Sequence, residues 1–252
     1  MAGILLLFVL GNMASMVWQW GRPLLLRDPL AGFPRVFLWA WERPENLEFL
    51  DPREAGVAVL AKTLVLTGDR IVVRPRMQPI ELPPAITTIA VVRIESNGAI
   101  PSENARREAV RQILDLTSRS ASGIQIDFDA RASERLFYRA LLKDLRSQLP
   151  RGKKLSITAL ASWCIHDAWI SDLPVDEAVP MIFRLGAGER QVKQYLAAGS
   201  DFLVPTTRFS VGISMDELPV RAPGGRRVYV FNPQAWTRAS ADAALRYVRE
   251  SQ

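Results

Sequence analysis

Residues 123–129 of this chain read Gly-Ile-Gln-Ile-Asp-Phe-Asp, an alternation of apolar and polar side chains. In a β-strand, successive side chains point to opposite faces, so the apolar set and the polar set separate. The apolar set would pack under a covering helix. The stretch therefore predicts a strand whose other face ends in two carboxylates, with their Cα atoms about 6.6 Å apart. The polar set consists of Gln125, Asp127 and Asp129.

Similar β-rich apolar runs recur along the chain on both sides of this stretch. Most lack the strict alternation of a half-exposed sheet, which is typical of strands covered on both faces. With the run at 124–128 there are eight. The other runs lie at 36–41, 57–60, 87–94, 155–160, 179–185, 210–215 and 228–231.

Helical patterns separate several of these runs, and four helices are predicted at 102–117, 133–149, 190–198 and 240–249. The first helix opens with Ser102, a residue that favours the N-cap position. The second carries an apolar face and stops before Pro150 and Gly152. That face consists of Leu136, Phe137, Ala140, Leu141 and Leu145.

Residues 63–76 break this alternation, because two apolar runs flank Thr-Gly-Asp-Arg and predict a β-hairpin. Eight strands alternating with helices predict an α/β fold, a (β/α)8 TIM-like barrel in which the hairpin replaces the second helix. The alternative is a doubly wound open sheet. No glycine-rich nucleotide loop follows the first run, so nothing in the sequence supports nucleotide binding by such a sheet.

The composition is that of a globular protein: the 252 residues are 48% hydrophobic, 23% charged and 8% aromatic. These values exclude a disordered chain and a multi-span membrane protein. We expect a single barrel domain over residues 22–252. Cys164 and His166 are the only cysteine and histidine, which excludes an internal disulfide and a Cys/His zinc site. We expect no metal and no organic cofactor.

The chain is basic, with a net charge of +6 and a pI near 9.9. Nucleic-acid binding requires a clustered basic stripe, whereas the basic residues here are scattered from Arg22 to Arg249. We therefore expect no nucleic-acid partner. Nothing in the sequence indicates an oligomeric state.

Residues 1–21 contain no charged side chain and approach the length that spans a bilayer. Trp18, Trp20 and Arg22 form an interfacial flank. The segment predicts a signal peptide or a membrane anchor, with membrane association through residues 1–21. We expect a location in the cell envelope, either periplasmic or membrane-anchored.

In barrels of this class, functional residues gather at the C-terminal ends of the strands. Asp127 and Asp129 end the fourth run, and two carboxylates this close raise each other's proton affinity. We expect them to be catalytic, one of them as a general acid. The alternative is structural, since an aspartate at a strand end often caps a loop or pairs with an arginine.

Other predicted strand ends carry residues suited to a sugar, whose flat C–H faces stack on indole rings. A single tryptophan is more often part of a core, but four near one rim favour a carbohydrate groove. The candidate substrate-binding residues are Gln125, Trp39, Trp41, Glu95, Trp163, Arg184, Asn232 and Trp236.

The stretch at 123–129 resembles the fourth-strand signature of TIM-barrel glycosidases of the chitinase type, an Asp-x-Asp-x-Glu ladder that ends in the catalytic acid. Gln125 stands where that family has its first Asp, and Asp129 stands where it has the acid Glu. The resemblance implies that Asp129 is the acid and that Asp127 orients the substrate. It also implies that Trp236 floors the central sugar subsite.

Four longer phrases resemble the bacterial family labelled domain of unknown function 3142, which is grouped with glycosidase-like barrels. They are Gln-Ile-Asp-Phe-Asp-Ala at 125–130, Phe-Tyr-Arg-Ala-Leu-Leu at 137–142, Thr-Ala-Leu-Ala-Ser-Trp-Cys at 158–164 and Asp-Glu-Ala-Val-Pro-Met at 176–181.

Two hypotheses of function follow. The first is a glycoside-hydrolase-like barrel that acts on or binds a bacterial envelope or exported polysaccharide. The second is a non-catalytic carbohydrate-binding or envelope scaffold protein on the same fold.

Overall fold

The structure is a computed structural model that describes residues 27–118, 121–219 and 224–251. The signal or anchor predicted at 1–21 lies outside these residues. Within the described ranges, no helix is both long enough and apolar enough to cross a membrane.

Eight parallel strands form a closed barrel. The first strand, β1, pairs in parallel with both β3 and β11, and this double pairing closes the sheet on itself. The TIM-like barrel is therefore confirmed, and the open-sheet alternative is wrong. The barrel strands are β1 (Val36–Ala40), β3 (Ala55–Thr67), β6 (Thr88–Ser96), β7 (Gly123–Asp127), β8 (Lys154–Leu160), β9 (Glu177–Met181), β10 (Ser210–Ser214) and β11 (Arg227–Phe231).

The predicted hairpin is also present. Strand β3 continues past the barrel, turns at Gly68 and returns as β4 (Arg70–Pro75), antiparallel to its own second half. Gly68 has a φ of +74°, a left-handed conformation that glycine adopts without a steric penalty. Two short strands, β2 (Glu45–Asn46) and β5 (Ile80–Glu81), form a separate two-stranded sheet.

All four predicted helices form, as α1 (Glu103–Leu114), α2 (Arg135–Gln148), α3 (Glu189–Ala197) and α4 (Arg238–Ser251). The Ser102 Oγ accepts a hydrogen bond from the Ala105 N–H at 3.2 Å, so the predicted cap is confirmed.

The face assigned to α2 needs one correction. Leu136 is 81% exposed, whereas Tyr138 and Leu142 are buried with Phe137, Leu141 and Leu145. Because the helix is packed against the barrel through positions 138, 141, 142 and 145, Leu136 falls on the solvent side.

A buried polar network crosses the lower half of the barrel interior. Arg227 Nη1 lies 2.9 Å from Glu177 Oε1, and both side chains are almost fully buried. The other Glu177 oxygen, Oε2, accepts from the Tyr229 hydroxyl at 2.7 Å and from Ser156 Oγ at 3.0 Å. The buried carboxylate is thereby balanced in charge and supplied with donors, as a buried ion requires.

Gln125 extends this network upward to the floor of the cavity described below. Its amide nitrogen donates to Ser156 Oγ at 3.1 Å, and its amide oxygen accepts from Trp39 Nε1 at 2.9 Å. Register explains the contact, because Gln125 and Ser156 are direct partners on β7 and β8. Both amide groups of Gln125 are thus engaged inside the barrel and fix the indole of Trp39.

Candidate functional site

A cavity of about 230 Å³ opens at the C-terminal ends of the strands. It lies where barrels of this class carry their active sites. Its walls combine aromatic rings, two arginines and the two aspartates at the end of β7. The lining residues are Trp39, Trp41, Val91, Arg93, Gln125, Asp127, Asp129, Thr158, Leu160, Met181, Phe183, Arg184 and Phe231.

Asp127 is the last residue of β7 and points into this cavity. The Thr158 hydroxyl on the neighbouring strand donates to its Oδ1 at 2.8 Å. The pKa of Asp127 is raised to about 6, mainly by burial and less by the nearby Asp129 carboxylate, while the Thr158 hydrogen bond and Arg93 act in the opposite direction. Asp127 therefore exchanges its proton close to neutral pH.

Asp129 lies two residues further along, at the exposed rim of the same cavity. Partial desolvation raises the pKa of its carboxyl, and the Arg93 guanidinium opposes that rise. Among the ion pairs of the described residues, none includes Asp127 or Asp129. The structural alternative of an aspartate spent on a salt bridge is therefore not what the geometry shows.

Arg93 is the cation whose charge acts on both aspartates, and the sequence marks it only as a polar residue near a strand end. On β6 it is the direct register partner of Asp127 on β7. Its guanidinium lies 5.6 Å from the ring centroid of Trp41, and its Nε lies 3.1 Å from Glu95 Oε1. Arg93 reaches the carboxylates only because β6 and β7 pair in this register, and no local sequence pattern predicts that pairing.

An aromatic wall faces the carboxylates across the cavity. Phe183 and Phe231 are stacked with an interplanar angle of 5° and centroids 5.9 Å apart, and Trp41 meets Phe231 edge-on at 6.1 Å. Trp39 forms the floor. Apolar planes beside charged groups suit a ligand with flat C–H faces and polar edges.

Arg184, a predicted substrate-binding residue, lies in the lining of the first cavity. It pairs with Asp216 at 3.6 Å rather than with Asp127 or Asp129, and its guanidinium lies 5.1 Å from the Phe231 ring centroid. Its φ of +51° is unusual for a residue with a side chain and aims the side chain across the aromatic wall.

Two of the four predicted groove tryptophans lie elsewhere. Trp163 is buried behind β8, edge-on to Trp169 at 5.1 Å. Trp236 is buried in the layer between barrel and helices, and its Nε1 donates to the Trp39 carbonyl at 2.8 Å. Their predicted places in the groove were wrong, because residues just past a strand end can turn outward as readily as inward.

Asn232 and Glu95 also lie outside the first cavity. Asn232 is buried, and its Oδ1 accepts from the Gln234 N–H at 3.3 Å, which closes the turn after β11. Glu95 pairs with Arg93 and, at 3.8 Å, with Arg74, and it lines a neighbouring cavity.

This second cavity, also about 230 Å³, shares Arg93, Asp127 and Asp129 with the first. Sequence reasoning did not single out Glu134, which contributes to its wall. The signal available was weak: an acidic residue five positions after Asp129, at the start of a helix. The lining residues are Arg93, Ile94, Glu95, Ser96, Asp127, Phe128, Asp129, Arg131 and Glu134.

Within the described part of the chain, no group of three His, Cys, Asp or Glu residues is arranged to hold a metal ion.

The fold and the first cavity define the class: this is a TIM-barrel protein with two carboxylates and a wall of aromatic rings at the C-terminal ends of its strands. We call this first cavity the cleft. Residues 85–183 match the family model described as Domain of unknown function (DUF3142). The resemblance to this family of unknown function is therefore confirmed over these residues, which include β6 to β9 and both aspartates.

Among solved structures, the crystal structure of the Bacillus cereus spore cortex-lytic enzyme SleL is similar to this chain at 15% sequence identity, with a TM-score of 0.47. The similarity covers 72% of this chain and 52% of that one, so this chain spans about half the length of the solved structure. No curated protein matches the chain.

Proposed function

We propose that the cleft binds a polysaccharide and hydrolyses one of its glycosidic bonds, with Asp129 as general acid and Asp127 as its partner. One observation carries the proposal: two carboxylates with raised pKa values share one open cavity and are used in no ion pair of the described residues. General acid catalysis requires a group that still holds a proton near the working pH.

The two aspartates take different catalytic roles in this proposal because they lie at different depths in the cleft. Asp129 lies at the rim, where its proton can pass to the glycosidic oxygen as the C–O bond breaks. Asp127, held by Thr158 deeper in the cavity, stabilises the positive charge that develops at the anomeric carbon. A water molecule then adds to that carbon and returns a proton to Asp129, so the step consumes one water and restores the acid.

The aromatic wall supplies the binding energy for this chemistry. A sugar ring stacked against the wall formed by Trp41, Phe183 and Phe231 would bury one apolar face and leave its hydroxyl groups toward Asp127 and Arg93. As for the target, the apolar residues 1–21 support a polysaccharide of the bacterial envelope or an exported one.

Non-catalytic carbohydrate binding is the second candidate. The observation in its favour is Gln125, an amide whose two groups are engaged by Trp39 and Ser156 where the chitinase-type ladder has a carboxylate. The same aromatic wall would serve a binding protein without any bond being broken.

Product release from a panel of bacterial polysaccharides separates the two candidates. We expect the full-length protein to release oligosaccharides from at least one polymer. Asp129→Asn keeps the shape but removes the acid, and we expect a loss of about 100-fold or more in rate. Asp172→Asn is the matched control, because Asp172 is an exposed aspartate paired with Arg139 outside the cleft.

The outcomes are distinct. Loss of activity in Asp129→Asn with full activity in Asp172→Asn supports hydrolysis. Binding of a polymer by both variants and by the wild type, with no cleavage, supports the non-catalytic candidate. Cleavage that Asp129→Asn leaves unchanged overturns the role of Asp129.

A further inference from the structure

The second cavity adjoins the cleft at the carboxylates. Arg93, Asp127 and Asp129 line both cavities, so the two aspartates lie at their junction. A bond cleaved by these carboxylates would join one unit in the aromatic cavity to another in the second cavity. The two cavities differ in chemistry: the first has an aromatic wall, whereas the second is lined mainly by charged and polar side chains.

Glu134 is the unusual group in the second cavity. Its side chain is only 1% exposed, and its Oε2 accepts from the Arg131 backbone N–H at 2.8 Å. Its other oxygen, Oε1, is buried and has no hydrogen-bond partner. A buried carboxylate oxygen without a donor is costly, and Glu134 lines the second cavity, so a donor that a ligand brings to this wall would relieve that cost.

The charges around the cavity favour a positively charged donor. Arg93 is already paired with Glu95 at 3.1 Å. Asp129 and Glu134 take part in none of the ion pairs found among the described residues. Arg131 lies against Gly98, so close that a Cβ atom at position 98 would collide with the Nη1 atom of Arg131. The lining thus holds two arginines and more carboxyl groups than that, those of Glu95, Asp127, Asp129 and Glu134, so acidic groups outnumber basic ones.

We propose that the second cavity is a subsite for a sugar unit bearing a protonated amino group, and that Glu134 is the residue that selects it. The proposal deepens the proposed function, on which it rests for the position of the scissile bond. An ammonium group supplies both the hydrogen bond that Glu134 Oε1 lacks and the charge that the cavity lacks. A neutral acetamido group in the same position supplies no charge.

The test is a calorimetric titration at pH 6, where more of the amino groups are protonated, with two probes that differ in this substituent: a tetramer of glucosamine and a tetramer of N-acetylglucosamine. We expect the wild type to bind the amino tetramer about 10- to 100-fold more tightly, the range of a charge-assisted hydrogen bond. Glu134→Gln should abolish the preference. Its amide oxygen can still accept from the Arg131 N–H, which turns the amide N–H2 group toward the ligand.

Two further variants keep the result interpretable. Glu134→Asp retains the charge, so it should retain part of the preference. Glu103→Gln, an exposed glutamate paired with Arg107 on α1, should bind as the wild type does. If the wild type shows no preference for the amino tetramer, the proposal is overturned whether or not Glu134→Gln folds. A preference that survives unchanged in folded Glu134→Gln also overturns it.

Binding and hydrolysis are measured separately, so their failures are distinguishable. A preference for the amino tetramer in a protein that cleaves no polymer would support the subsite and contradict the hydrolase. Cleavage of a polymer by a protein without this preference would support the hydrolase and contradict the subsite.

Discussion

Arg93 and Asp127 are direct register partners on two neighbouring parallel strands, β6 and β7. Their side chains line the same cavity, so the Arg93 guanidinium opposes the rise in pKa that burial imposes on both Asp127 and Asp129. The protonation of the candidate catalytic pair is thus set jointly by desolvation and by one cation from the adjacent strand.

Replacing this cation should raise the pKa of both aspartates. In Arg93→Ala the carboxylates lose a stabilising positive charge, so they should protonate at higher pH than in the wild type. Titration of the side-chain carboxyl carbons by NMR measures the change. Arg107→Ala, on the outside of α1, is the control and should leave both values unchanged. A fall in either pKa on removal of Arg93 would contradict this account.

The raised pKa of Asp127 also links stability to pH. Its folded-state value of about 6 lies above the ordinary value of 3.8, so the folded protein binds the proton more tightly than the unfolded chain does. This contribution to stability is fully present below about pH 4 and is lost as pH rises through about 6.

Asp127→Asn should remove this dependence, because the amide carries no charge and still accepts from Thr158. Relative to the wild type, we expect it to gain up to about 3 kcal/mol in free energy of unfolding between pH 4 and pH 8. Denaturant unfolding at the two pH values measures it. An equal difference between the two proteins at both pH values would refute the prediction.

Gln125 should matter for stability through the groups it joins. In Gln125→Ala, the Trp39 indole N–H loses its acceptor and the Ser156 hydroxyl loses a donor, both inside the barrel. We expect a loss of about 2–4 kcal/mol in free energy of unfolding. Gln234→Ala, at an exposed position, should change it by less than about 0.5 kcal/mol. Equal effects of the two substitutions would show that the network contributes nothing.

The aromatic wall should contribute to ligand affinity at Trp41 and not at Trp163. Trp41→Ala removes a ring that lines the cavity, and we expect about a 10-fold weaker affinity for any glycan that the protein binds. Trp163→Phe alters a ring packed against Trp169 behind the strands and should leave affinity unchanged. Fluorescence titration compares them, and the opposite order would place the binding site elsewhere.

The elements of this fold were predictable because their signals are local. Alternation at 123–129 predicted both β7 and the common orientation of Asp127 and Asp129, and Ser102 marked the start of α1 through its own hydrogen bond. The hairpin at 63–76 was equally predictable, since its turn residues lie between two apolar runs.

The composition of the site was less predictable, because it depends on which strand ends turn inward. Trp39 and Trp41, within β1 and directly after it, line the cavity, whereas Trp163 and Trp236 lie a few residues past the ends of β8 and β11 and are buried in the core. Backbone direction after a strand end is set by the packing of the next segment, and no periodicity along the chain reports it.

By itself, the sequence of this protein determined the order of its strands and helices, the hairpin and the shared face of its two aspartates. Each of these follows from the geometry of a few neighbouring residues. Only the tertiary structure decided the closure of the barrel through β1, the strand register that sets Arg93 beside Asp127 and the burial of Glu134 beside a second cavity. These depend on contacts between segments far apart in the chain, where strand register and packing select the partner.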